Sequence, residues 1–130
     1  MKYFLFVILI VLCVSGCTRR PILNIKNAPI SRTVTGELKP LDTVGQAIIN
    51  AAVKKGWTPV LKSPGLIDAS ILRRTHQARI EISYTQTSFS INYVDSVNLE
   101  CNGKKIHGNY NHWITRLSAE IQKEISISAK

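Results

Sequence analysis

The chain has too few cysteines to staple itself. Of its three, Cys13 lies inside an apolar leader and Cys17 closes it, which leaves Cys101 alone in the body of the chain. With no intramolecular disulfide expected, the fold must rest on an apolar core. Acids are also scarce: 8 Asp and Glu stand against 17 Lys and Arg, for a formal net charge of +9. Glu37, Asp42, Asp68, Glu81, Asp95, Glu100, Glu120 and Glu124 are scattered, and none forms a pair suited to glycoside hydrolysis. No apolar run approaches the ~20 residues of a membrane-spanning helix. There is no Gly-x-Ser-x-Gly, no nucleophile setting of the kind cell-wall peptidases use, no internal repeat and no low-complexity tract. These absences argue against an enzyme, and no cofactor is expected.

What is present begins with an address. Lys2 is followed by an unbroken apolar run over residues 3–14 and then by Ser15-Gly16-Cys17. A short positive start, an apolar core of that length and small residues at its end make a secretory signal peptide. With a cysteine directly after the small residues, the stretch resembles a bacterial lipobox; the alternatives are an ordinary signal peptide or a short anchor. The resemblance implies cleavage before Cys17, a thioether-linked diacylglycerol on its sulfur, and N-acylation with a fatty acid such as palmitate. Three chains far exceed the single chain that binds only marginally, so the anchor would be permanent. Thr18 follows, not Asp, which by resemblance to enterobacterial sorting favours the outer membrane, facing the periplasm.

Cleavage would remove one lysine and no acid, leaving residues 17–130, enough for a single domain. The basic balance points to an anionic partner. Nucleic acid is not expected for a tethered envelope protein.

The chain then divides into residues 1–16 as signal peptide, 17–40 as a lipidated tether and 41–130 as one α+β domain. Pro21, Pro29, Gly36 and Pro40 break any period in the tether, although residues 30–35 could add an edge strand. Extended, it would reach roughly 80 Å. Residues 41–55 read as a helix, with Val44, Ile48, Ala51 and Ala52 at helical spacing, Asp42 in the first turn and Lys54 and Lys55 in the last. Four strands follow at 57–62, 66–73, 78–84 and 89–93; Pro59 marks the first as an edge. Ala78, Ile80, Ile82 and Tyr84 alternate against Arg79, Glu81 and Ser83, the pattern of a half-buried strand. Residues 97–108 read as an irregular loop. Asn109 or Asn111 is expected to cap a last helix, in which Trp113, Leu117, Ile121 and Ile125 recur every four residues. The order α-β-β-β-β-α predicts a two-layer antiparallel meander with both helices on one face.

Gly56-Trp57, Pro64-Gly65, Ser90-Ile91-Asn92-Tyr93, and the block running Ile106-His107 through Asn109-Tyr110-Asn111 to Trp113 together resemble small uncharacterised proteobacterial lipoproteins. That resemblance implies fold and address, and no activity.

His76, His107, His112 and Cys101 invite a metal reading, but Cys-x5-His-x4-His matches no zinc pattern, and no metal is expected. Cys101 with His107, or one of the many serines with His76, is an imaginable nucleophile–base pair; the first would require an exposed thiol beside that ring. The cations are more informative. In this topology the end of the first helix, the second β-turn, the loop after the last strand and the start of the last helix share one pole. Lys54, Lys55, Arg73, Arg74, Arg79, Lys104 and Lys105 would converge there with His107, and His76 nearby. The expected role is a non-catalytic binding or assembly module, gripping peptidoglycan, lipid headgroups or an acidic protein surface. A structural accessory subunit of an envelope complex is the alternative, and a small cell-wall enzyme a third. A tether joining the start of the first helix would hold the basic pole away from the membrane.

Overall fold

The computed structural model describes residues 19–128. Cys17, the expected acylation site, and the signal peptide lie outside the described residues. The elements in chain order are β1 (Arg19–Pro21), β2 (Ile25–Pro29), α1 (Leu41–Lys54), β3 (Thr58–Ser63), β4 (Leu66–Arg73), β5 (His76–Tyr84), β6 (Ser88–Val97), β7 (Lys105–His107) and α2 (Gly108–Ile127). Strands β3 to β6 form the expected antiparallel meander, each beside its neighbour in sequence. Both helices cover one face, so the architecture is the two-layer α+β one that the hydrophobic periods require.

Alternation decides which face is covered. Ile67, Ala69 and Ile71 of β4, Ala78, Ile80 and Ile82 of β5, and Phe89 and Ile91 of β6 are buried, while the residues between them face the uncovered side. From α1 come Val44, Ala47, Ile48, Ala51 and Ala52; from α2 come Tyr110, Ile114, Leu117, Ile121 and Ile125. α1 lies close to the sheet because its inner face is mostly small. A Cβ on Gly45 would collide with the Tyr84 hydroxyl. β3 is an edge strand, as Pro59 requires, because proline has no N–H to donate to a further strand.

The segment expected to be a free tether differs most. β2 joins the sheet as a fifth strand beside β6, and β1 pairs with β7 in a separate two-stranded ribbon, with Arg19 opposite His107. The edge strand is residues 25–29 rather than 30–35. The chain therefore meets the domain at the ribbon, and not at the start of α1. The loop expected over 97–108 holds β7. Side chains make these short pairings possible. Asn111 Oδ1 accepts the Leu23 N–H at 3.0 Å, and its Nδ2 donates to the Pro21 carbonyl at 2.8 Å. Asn24 and Ser90 accept the N–H groups of Tyr93 and Asn27. Asn111 is thus a latch on the N-terminal segment and not a helix cap. The cap of α2 is His107, whose Nδ1 accepts the Asn109 N–H at 3.2 Å.

Candidate functional site

The end of α1, the β4–β5 turn, the exit of β6, the ribbon and the start of α2 gather at one end of the domain. Arg73 reaches across to donate to the Lys55 carbonyl at 3.1 Å. Its guanidinium lies where a side chain at position 56 would project: a Cβ there would stand 2.7 Å from Nη2, so Gly56 keeps the passage open. Arg74, next in the turn, has a φ of +57°. The turn is pinned to the exit of β6. Asn98 Nδ2 donates to Thr75 Oγ1, and His76 Nδ1–H donates to the Asn98 carbonyl, both at 2.6 Å. That bond places the neutral ring's proton on Nδ1. His76 stacks on His107, with ring centroids 6.3 Å apart.

Two adjoining depressions open here. One is lined by Leu72, Arg73, Arg74, His76, Asn109 and Trp113; the other by Lys54, Lys55, Trp57, Arg73, Trp113 and Arg116. Arg73 and Trp113 line both. No acid lines either. The Trp57 indole N–H is sealed from solvent and has no acceptor among the described residues. Trp113, which the helical period places in the core with Leu117 and Ile121, is only partly buried and forms the shared wall instead.

The cations named from sequence separate into two groups. Lys54 pairs with Glu124 and, at 4.0 Å, with Glu120; Lys55 lies 3.7 Å from Glu120. The hydrogen bond from Lys54 holds the Glu124 carboxyl below its ordinary value, and the same bond raises the Lys54 ammonium. These two lysines therefore line the depression while facing α2's carboxylates. Arg79 belongs elsewhere: it sits on the uncovered face of β5, 3.4 Å from Asp95 of β6. It leaves the group because alternation turns it away from the layer that meets the helices. Arg73, Arg74, Lys104 and Lys105 do come to this end, all exposed and in no ion pair among the described residues. Lys104 and Lys105 sit on a turn held by Asn102, whose Oδ1 accepts both of their backbone N–H groups. His107 joins them as the cap of α2.

Three cations at this end escape a reading of the sequence. Arg19 and Arg20 lie on β1, and Arg116 follows Trp113 by three positions on α2. Arg19 meets Glu100 at 3.5 Å; Arg20 and Arg116 are in no ion pair among the described residues. The signal for Arg116 was available, since positions i and i+3 share a helix face. That for β1 was not, because three residues carry no period.

The chemistry offered is attraction of negative charge. Cys101 is half-buried and its Sγ accepts the Gly103 N–H at 3.4 Å. It neighbours Tyr93, while His107 is committed to Asn109 and His76. The pair is therefore not assembled as nucleophile and base. Among the described residues no three His, Cys, Asp or Glu side chains are placed to hold a metal ion. Tyr110 is buried edge-on to Tyr93, with centroids 5.5 Å apart, and burial pushes its hydroxyl far above the usual range. Among the described residues no helix is long and apolar enough to cross a membrane. No family model, no curated protein and no solved structure matches this chain.

Proposed function

We propose that this protein is a lipid-anchored component of the bacterial cell envelope, held through Cys17 and facing the periplasm. It acts without catalysis and grips an anionic partner through its cationic end. One observation carries the reading. Of the eight acids, Glu100, Glu120 and Glu124 already answer Arg19, Lys54 and Lys55, and Asp68 and Asp95 answer Lys62 and Arg79 outside the two depressions. Arg20, Arg73, Arg74, Lys104, Lys105 and Arg116 have no carboxylate among the described residues and lie at the same end; Lys26, Arg32, Lys39 and Lys123 are also in no ion pair there but line neither depression. Single exposed ion pairs contribute little, but several cations with one counter-surface act together and raise the local concentration of anions.

A polyanion column tests the anion-binding role. The acylated protein, solubilised in neutral detergent, should be retained on phosphocellulose and released by salt, as screening requires. Reversal of Arg74, Lys104 and Lys105 to Glu should release it at markedly lower salt with an unchanged circular dichroism spectrum. Equal elution of the two proteins would overturn the role. Mass spectrometry of the mature N-terminus tests the anchor: an unmodified Cys17 would remove it.

A role as a structural accessory subunit draws on the opposite side of the sheet. Val60 of the edge strand, Leu72 and Val97 are each more than half exposed, at 53%, 66% and 60%. An apolar, salt-resistant interface there would favour that reading.

A further inference from the structure

We infer that the cationic end lies against the membrane that holds the anchor, and that its partner is the anionic, phosphate-bearing headgroup layer of that membrane. This orientation rests on the anion-binding role proposed above and gives it a partner.

The course of the N-terminal segment carries the orientation. A tether ending at Leu41 would have attached the anchor to the opposite end of the domain, on a long leash. Instead Arg19 is paired with His107, Arg20 with Ile106 and Pro21 with Lys105. The Ile22 N–H then donates to the Lys104 carbonyl at 3.1 Å, and Asn111 holds the chain on both sides of that point. The chain is tied down from Arg19 onward. Cys17 precedes Arg19 by two residues, a reach of at most about 7 Å. The acyl chains thus depart beside His107, whose ring stacks on His76 of the depression.

Charge and aromatic placement agree with that geometry. The screening length at physiological salt is about 8 Å, comparable to this reach, so the ribbon's cations feel the leaflet's field. Each Arg or Lys beside an anionic leaflet contributes roughly a fivefold preference for it. Arg20, Lys104 and Lys105 lie on the ribbon and its turn, and Arg74 lies in the neighbouring β-turn. Trp113 stands at the shared rim, and a half-exposed indole suits the boundary between headgroups and water. A two-residue leash does not carry this end to a partner standing away from the membrane.

Trp113 supplies the test. The chain has two tryptophans, and Trp57→Phe leaves Trp113 as the sole emitter. The acylated protein is reconstituted in phosphatidylcholine vesicles with and without phosphatidylglycerol. Its emission is quenched from the membrane by a headgroup nitroxide lipid and from water by acrylamide, which is uncharged. With phosphatidylglycerol, nitroxide quenching should rise severalfold and acrylamide quenching should fall. Combining Arg20→Gln, Arg74→Gln, Lys104→Gln and Lys105→Gln should restore the values seen without phosphatidylglycerol, as should high salt. None of these four side chains makes an ion pair among the described residues, and circular dichroism checks the fold. If Trp113 stays open to acrylamide in both vesicles while phosphocellulose still retains the protein, the end faces outward: the orientation is overturned and the anion-binding role survives. If nitroxide quenching is strong but indifferent to lipid charge and to the four substitutions, headgroup recognition is overturned. Loss of both the vesicle response and the column retention overturns the orientation and the role together.

Discussion

At the end of the domain where α1 begins, the β3–β4 hairpin turns through Pro64 and Gly65, and Gly65 takes the left-handed conformation at φ +91°. At the cationic end the β4–β5 hairpin turns through Arg74 and Thr75, and there the left-handed residue is an arginine. Asn98 and Glu100, both also left-handed, lie in the connection that follows β6 at this same end. A side chain in that conformation costs about 1–2 kcal/mol that glycine avoids. At the first end Lys39 is buried and donates to the carbonyls of Ser31 and Arg32, and Gly45 makes room for the Tyr84 hydroxyl. The cationic end is open and holds three of the four left-handed residues other than glycine among the described residues; the fourth, Asn27, lies in β2. The backbone strain gathers mainly where charge is displayed.

The largest effect should come from the core that both ends share. Leu117 is fully buried between α2 and the sheet, and Leu117→Ala should cost about 2–5 kcal/mol. Leu72→Ala, at an exposed position, is the control. Equal urea midpoints for the two would show that α2 is not anchored there. Next is the end where α1 begins. Gly45→Ala drives a methyl into the Tyr84 hydroxyl and should cost about 1–3 kcal/mol by overpacking. Pairing it with Tyr84→Phe, which removes the colliding oxygen, should recover part of that loss; no recovery would mean the clash lies elsewhere.

The contrast between the ends is sharpest at Arg74. Arg74→Gly should relieve strain and raise stability by about 0.5–1 kcal/mol, since glycine's own entropy offsets part of the gain. The same change should lower the salt at which phosphocellulose releases the protein. Opposite signs for stability and binding are the expected signature. A variant both less stable and equally well retained would erase the distinction between the ends.

The smallest effect is the titration of Glu124 and Lys54. Glu124 keeps its charge in the folded state below its ordinary value of 4.5. Its contribution to stability is therefore complete above that value and is lost as pH falls through the lowered one. Lys54 mirrors it: its contribution is present below 10.5 and is lost as pH rises through the raised folded value. Glu124→Gln should flatten both limbs of the Tm profile against pH. Because Lys54 is largely exposed, the change is slight.

The sheet and helices were legible because their periods are long. β4 occupies residues 66–73 as its alternation requires, and α1 is legible to within one residue. β1, β2 and β7 were not, because strands of three to five residues carry too little alternation. They exist through bonds from remote side chains, such as Asn111 to Pro21 and Leu23. The same remoteness explains the cations. The β-turn of Arg73 and Arg74 follows from strand order alone. That Lys54 and Lys55 would meet Glu120 and Glu124 depends on how two helices sit side by side, which no local pattern encodes.

The latch of Asn111 on Leu23 and Pro21 spans 88 and 90 residues of chain. A chain is made from its N-terminus onward, so its first strand must wait for the last helix before these bonds can form. Contacts of such long separation close slowly, because the chain between them must first be ordered. In the interval the body of the domain assembles while the N-terminal segment is still unpaired. If Cys17 carries the proposed anchor, the distance between domain and membrane is fixed last, as a late folding event.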